Sequence, residues 1–167
     1  MPWEVRRARW TERRPGDIDR GRIQALRRLI REGRADPLIR SAAIRILRQR
    51  GVRARDGLGA CCALHGWIRD NVLWVAEQVE TFMAPRYVLA SGGGDCDDHA
   101  ILMGALAESV KIPSRLLVLR RNGRGFHVLC QVRPVPWGGW VTAETTLPVP
   151  LGWDPRLADP DELRRLV

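Results

Sequence analysis

Cysteine is scarce in this chain: four among 167 residues, at positions 61, 62, 96 and 130. Four thiols so unevenly spaced make no disulfide scaffold, so free thiols in a reducing compartment are expected. Long apolar runs are missing too. No stretch approaches the roughly 18 residues that cross a bilayer, so no membrane span is expected. The opening MPWEVRRARW carries charge but no apolar core, and no secretory signal is expected from it. Lysine is almost absent, one residue against 27 arginines, and no internal repeat or low-complexity tract stands out. What is present is ordinary for a folded domain, 45% hydrophobic and 28% charged, in a length that suits one hydrophobic core.

The net charge of +9 is unevenly placed. Residues 1–56 hold 17 arginines against 7 acids, whereas residues 57–167 hold 11 basic and 12 acidic residues. Such an arginine-rich third would suit nucleic acid or an acidic partner protein. Its basic residues are not interleaved with stacking aromatics, and an arginine-favouring genome would leave the same solvated helix face. Nucleic acid is therefore not the favoured partner.

Punctuation and periodicity divide the chain. Residues 1–17 are expected to be an irregular, loosely held arm. Ile23, Leu26, Leu29 and Ile30 recur at helical spacing up to Gly33. A second helix follows Asp36-Pro37, with Ile39, Ala43, Ile44 and Leu47 as its apolar positions, and ends at Gly51. Residues 57–79 predict a third, with Leu64, Trp67, Ile68, Val72 and Val75 on one face. From Arg115 the period changes: RLLVLRR, FHVLCQV and GWVTAETT are β-rich and separated by the glycine turns NGRG and WGG. Helices first and antiparallel strands afterwards imply an α+β fold. An Arg-rich helical extension, 1–56, precedes a core, 57–167, the two expected to form one compact unit.

The most informative stretch is GGGDCDDHAILMGAL, residues 92–106. Asp95 is placed as an N-cap, Asp98 completes a capping box, and Cys96 falls at the first helical position. Free N–H groups and the helix dipole favour a thiolate there, provided the aspartates turn to the backbone rather than to the sulfur. A nucleophilic cysteine needs a base and an orienting acid. His65 sits mid-helix and suits a surface or core role better than catalysis, and the His99 side chain is expected to run along its helix. His127, in FHVLCQV, and Glu144, on the following strand, would lie side by side facing the helix start, which makes a Cys–His–acid triad. Zinc is the competing chemistry, since Cys96-x-x-His99 and His127-x-x-Cys130 supply four ligand types. Strand alternation sends His127 and Cys130 to opposite faces and argues against it.

GDCDDHAILMGALAESVKIPSRLLVL, FHVLCQV and GWVTAETT, in that order, resemble the transglutaminase-like core of the papain-like cysteine enzymes over roughly residues 60–150. The family pattern is G-x-C opening an apolar helix, a G-I-P-x-R turn, an aromatic-flanked His, and W-x-x-x-D on a strand. The CDD form, the upstream WIRDNV helix and the ETT ending resemble transglutaminase-like proteins of tailed bacteriophages and prophages. The resemblance implies Cys96 as nucleophile, His127 as base and Glu144 in place of the usual Asp. Lys111 stands where the family has Gly, which implies a local backbone adjustment. Asp95, Asp97 and Asp98 also resemble the acidic residues of calcium-dependent relatives, and clustered hard oxygens suit Ca²⁺, though helix capping explains them equally well.

The expected chemistry is acyl transfer from an amide of a peptide or protein substrate. The Cys96 N–H and a donor among Trp74, Asn71 and Gln78 would meet the oxyanion. Water resolving the thioester makes a protease or amidase, an amine makes a cross-linker, and small bacterial and viral members suit hydrolysis. In a phage setting the substrate would be cell-wall peptide and the location the virion tail; otherwise the location is the bacterial cytoplasm. The alternative is a non-catalytic structural or assembly component of the virion, keeping the fold and docking other phage proteins through its Arg-rich helices.

Overall fold

The computed structural model describes residues 10–12, 20–76, 81–121, 124–136 and 138–159. Strand β1 (Trp10–Glu12) pairs antiparallel with a later strand, so this part of the expected irregular arm is ordered; the rest of that arm lies outside the described residues. Helices α1 (Arg20–Ala35) and α2 (Pro37–Gln49) are divided at Asp36, whose carboxylate accepts from Leu38 N at 2.9 Å while Pro37 fills the first turn. Helix α3 (Gly57–Asn71) starts from the Asp56 cap on Gly59 N, 2.7 Å.

The helix expected over 57–79 is shorter in fact. Val72 is extended, and the chain enters β2 (Leu73–Trp74), so Val75 lies on no helix face. Pairing wins over periodicity here: Leu73 N donates to Gly92 O at 2.8 Å and Val75 N to Gly94 O at 2.9 Å. The partner, β3 (Gly93–Gly94), runs parallel to β2 and follows a short helix, α4 (Pro85–Ser91), which sequence periodicity did not predict.

Helix α5 (Cys96–Ser109) is the centre of the molecule. Twelve of its residues are buried, because α1, α2, α3 and α4 pack against it along with β4 (Ser114–Arg121) and β5 (Arg124–Val132). This explains why its sequence is apolar on nearly all sides. The sheet is antiparallel in the order β1-β4-β5-β6, with β6 confined to Val141–Ala143, so Glu144 lies just past a strand and not within it. Val128, Cys130 and Val132 of β5 join the core under α5, and Leu26, Ile30, Ile39 and Ile46 of the Arg-rich extension belong to the same buried cluster. The architecture is α+β. Among the described residues no helix is long and apolar enough to cross a membrane.

Helix α1 runs parallel to α5. Ile30 touches Gly104, Gly33 touches Ala105, and Arg34 reaches Glu108 at 3.4 Å, so contacts advance together along both helices. Their approach depends on missing side chains: a Cβ on Gly33 would sit 2.6 Å from Pro85 Cγ and 2.8 Å from Ala105 Cβ. Gly33→Ala is therefore expected to destabilise the fold by about 1–2 kcal/mol, overpacking outweighing the gain in helix propensity; urea unfolding measures it. Lys111 adopts φ +69°, in the left-handed region that glycine favours. For a residue with a side chain that conformation costs about 1 kcal/mol.

Candidate active site

The start of α5 is fixed by a reciprocal capping box. Asp95 Oδ1 accepts from Asp97 N at 3.0 Å and Asp98 N at 3.2 Å, and Asp98 Oδ2 accepts from Asp95 N at 3.4 Å. The other Asp98 oxygen accepts from Met83 N at 2.8 Å, tying the preceding loop to the helix. Gly94 leaves room for this, since a Cβ there would meet Asp98 Cβ at 2.6 Å. Two of the three aspartates around Cys96 are thereby committed to backbone amides. Cys96 itself is partly exposed, and its position at the first turn leaves its N–H outside the helix's own ladder.

His127 stands on β5, opposite Leu119 of β4, and hydrogen-bonds the Cys96 thiol. Its Nε2 lies 2.6 Å from Glu144 Oε2, which leaves Nδ1 as the ring nitrogen for the sulfur. Burial opposes a charged ring, but the Glu144 charge, with hydrogen bonds to Cys96 and Glu144, outweighs it and pushes the His127 pKa up to about 10. Glu144 has no exposed surface and is held on every polar atom beyond its N–H. Its Oε1 accepts from Thr146 N at 2.6 Å and Thr146 Oγ1 at 2.7 Å, and its carbonyl accepts from His65 Nε2 at 2.6 Å. Burial raises the Glu144 pKa, yet His127 and Thr146 together hold it below the usual carboxylate range.

The structure therefore brings Cys96, His127 and Glu144 into one hydrogen-bonded line. His65 is buried rather than on the surface, with burial lowering its pKa, so it serves as a neutral donor that anchors the Glu144 backbone. His99 does not run along its helix: it is buried, and its Nδ1 hydrogen-bonds Thr145 Oγ1 at 3.2 Å, linking α5 to the residue after Glu144. Sequence reasoning missed these positioning roles because the partners lie 79 and 46 residues away. Thr146 carried a local signal, the hydroxyl two residues past the acid.

Asp97 is the remaining aspartate. It is 2% exposed, and its Oδ1 lies 3.9 Å from Cys96 Sγ. Burial, reinforced by Asp95 and opposed by Arg22, pushes its pKa up to about 6. The calcium expectation for Asp95, Asp97 and Asp98 meets a physical obstacle, since the first and last turn their oxygens to amides. Among the described residues no group of three or more His, Cys, Asp or Glu is arranged to hold a metal ion. Cys130, a candidate zinc ligand, is buried in the core with its thiol on the Gln131 carbonyl, 3.6 Å.

The three oxyanion candidates separate. Trp74 pairs with Gly94, which sets its backbone beside the loop leading to Cys96. Asn71 turns back on its own helix, donating to Trp67 O at 2.8 Å. Gln78 lies outside the described residues. Leu73, Trp74 and Val75 are all exposed, an apolar ridge along the same loop.

Comparison with known proteins gives a family and a fold. Residues 47–145 match the family model of the transglutaminase-like superfamily. A crystal structure from Cytophaga hutchinsonii, described as a "putative cysteine protease", superimposes with a TM-score of 0.50 at 19% identity, over 78% of this chain and 43% of that one. The chain thus spans less than half the length of that neighbour, and the likeness is one of fold. No curated protein sequence matches the chain.

Proposed function

Because the chain belongs to the transglutaminase-like superfamily, we propose that it is a cysteine hydrolase acting on an amide of a peptide or protein. The observation that carries this is the line from the Cys96 thiol through His127 to a buried, fully anchored Glu144 carboxylate. The Cys96 thiol passes its proton to His127 as its sulfur bonds to the carbonyl carbon, the oxyanion sits by the Cys96 N–H with a second donor beside Trp74, and the C–N bond breaks. His127 gives its proton to the departing amine. Water then attacks the thioester, His127 takes its proton, and the carboxylic acid leaves with the thiol restored. Glu144 holds the ring with Nε2–H toward itself and balances the imidazolium. The exposed apolar ridge of Leu73, Trp74 and Val75 supports a peptide substrate.

A finer assignment, to a bacteriophage tail protein acting on cell-wall peptide, is supported by the CDD, WIRDNV and ETT segments alone. The arginines of α1 and α2 favour an added docking role, on other virion proteins in that setting: Arg27, Arg31, Arg45 and Arg48 are exposed.

Thiol reactivity tests the proposal. Burial pushes the Cys61 pKa up to about 12, with Cys62 and Asp56 adding to it, and burial also raises Cys130 and, with Asp56, the exposed Cys62. Iodoacetamide at neutral pH is therefore expected to label Cys96 first and to lose that preference in His127→Ala. Equal, slow labelling of all four thiols would overturn the enzymatic reading in favour of a non-catalytic virion component.

A further inference from the structure

A carboxylate 3.9 Å from a nucleophilic sulfur is a liability, because its charge disfavours the thiolate. Asp95 and Asp98 escape the difficulty by capping the helix, whereas Asp97 points no oxygen at a backbone amide of the box. The parallel packing of α1 on α5 answers it. Contacts that run from Arg34 and Glu108 back through Gly33 and Ala105 bring the first turn of α1 level with the first turn of α5. There Arg22 lies over the Phe82 ring, 5.7 Å from its centroid, with a terminal guanidinium nitrogen buried. Its charge acts on Asp97 against the effect of burial.

We infer that Arg22 is a positioning residue for the nucleophile: its guanidinium balances the buried Asp97 carboxylate, so that the acid beside Cys96 does not suppress reaction. The stack on Phe82 fixes the guanidinium where a longer-ranged surface arginine would be screened. Among the described residues the groups that act most on Asp97 are Arg22 from α1, Asp95 and Asp98 from its own cap, and His127 from β5, with the Cys96 thiol beside it. Arg22 is the one permanent cation of that set. It lies outside residues 47–145 that match the family model, so the Arg-rich extension contributes to the site as well as to the core.

This inference rests on Cys96 being the nucleophile proposed above. The test is the pH profile of Cys96 alkylation in the full chain. Arg22→Gln is expected to slow alkylation about tenfold at pH 7 and to move the profile about one pH unit upward without lowering its plateau. Arg22→Lys keeps the charge and is expected to keep the wild-type profile. Arg22→Gln combined with Asp97→Asn is expected to return to within about threefold of Asp97→Asn alone, since the charge to be balanced is gone. A wild-type profile in Arg22→Gln, or a double variant as slow as Arg22→Gln, overturns the inference while leaving the proposed function standing. An unreactive Cys96 in the wild type overturns both. Should Arg22→Gln fail to fold, Arg22→Lys decides, and a profile displaced upward despite the retained charge counts against the inference.

Discussion

Glu144→Gln is expected to cut acyl transfer by about three to four orders of magnitude while leaving the fold in place. The reason is the wiring of the carboxylate. Thr146 donates twice to Oε1 and His127 Nε2 faces Oε2. A glutamine satisfies Thr146 only by placing its carbonyl oxygen there, which turns its NH₂ group toward His127. Nε2 must then accept, and the ring proton moves to Nδ1, the nitrogen that should receive the thiol proton. The amide also cannot balance an imidazolium, so the His127 pKa should fall from about 10. Glu144→Asp keeps the charge but is one methylene shorter, and gives up part of the Thr146 contact to reach His127. The expected order of activity is wild type, then Asp, then Gln. The order of thermal stability should instead favour Gln over Asp. Hydrolysis of peptide amides and the rate of Cys96 alkylation both measure this, and a glutamine variant at the wild-type rate would remove Glu144 from the mechanism.

The parts of this molecule that were legible from sequence are those where local chemistry is sufficient. Asp36-Pro37 starts a helix, the Asp95–Asp98 box starts another with Cys96 in its first turn, and β-rich runs divided by a glycine turn mark β4 and β5. The end of α3 was not legible. Val72 and Val75 continue the helical spacing, and what stops the helix is pairing with Gly93–Gly94, some twenty residues on. Helix α4 is only seven residues long, yet it carried a usable signal: Pro85 opens it and Gly92, at φ +69°, closes it. β1 has three residues and exists through its register with β4. At the site the same division holds. Cys96, His127 and Glu144 could be placed because their residue types and order make chemical sense. His65, His99 and Arg22 could not, because each acts through a partner that only tertiary packing supplies.

Asp97→Asn is expected to stabilise the protein above pH 6 and to leave it unchanged near pH 4. Burial, with Asp95 beside it, raises the folded-state pKa of Asp97 to about 6, above the ordinary value of 3.8. Between those values the folded chain binds more protons than the unfolded chain, so stability falls as pH rises through the interval and the deficit persists at higher pH. A shift of about two units corresponds to about 3 kcal/mol, or roughly 6–12 °C in Tm for a domain of this size. The asparagine variant carries no charge to desolvate, and Arg22 keeps its stack on Phe82. Thermal melts of wild type and variant at pH 4, 6 and 8 should therefore diverge progressively, the variant melting higher. A variant that melts lower at pH 8 would mean that Arg22 and Asp97 form a net stabilising pair and that the carboxylate is there for the fold. The expected sign places the cost of this aspartate on stability, at the helix turn that carries Cys96.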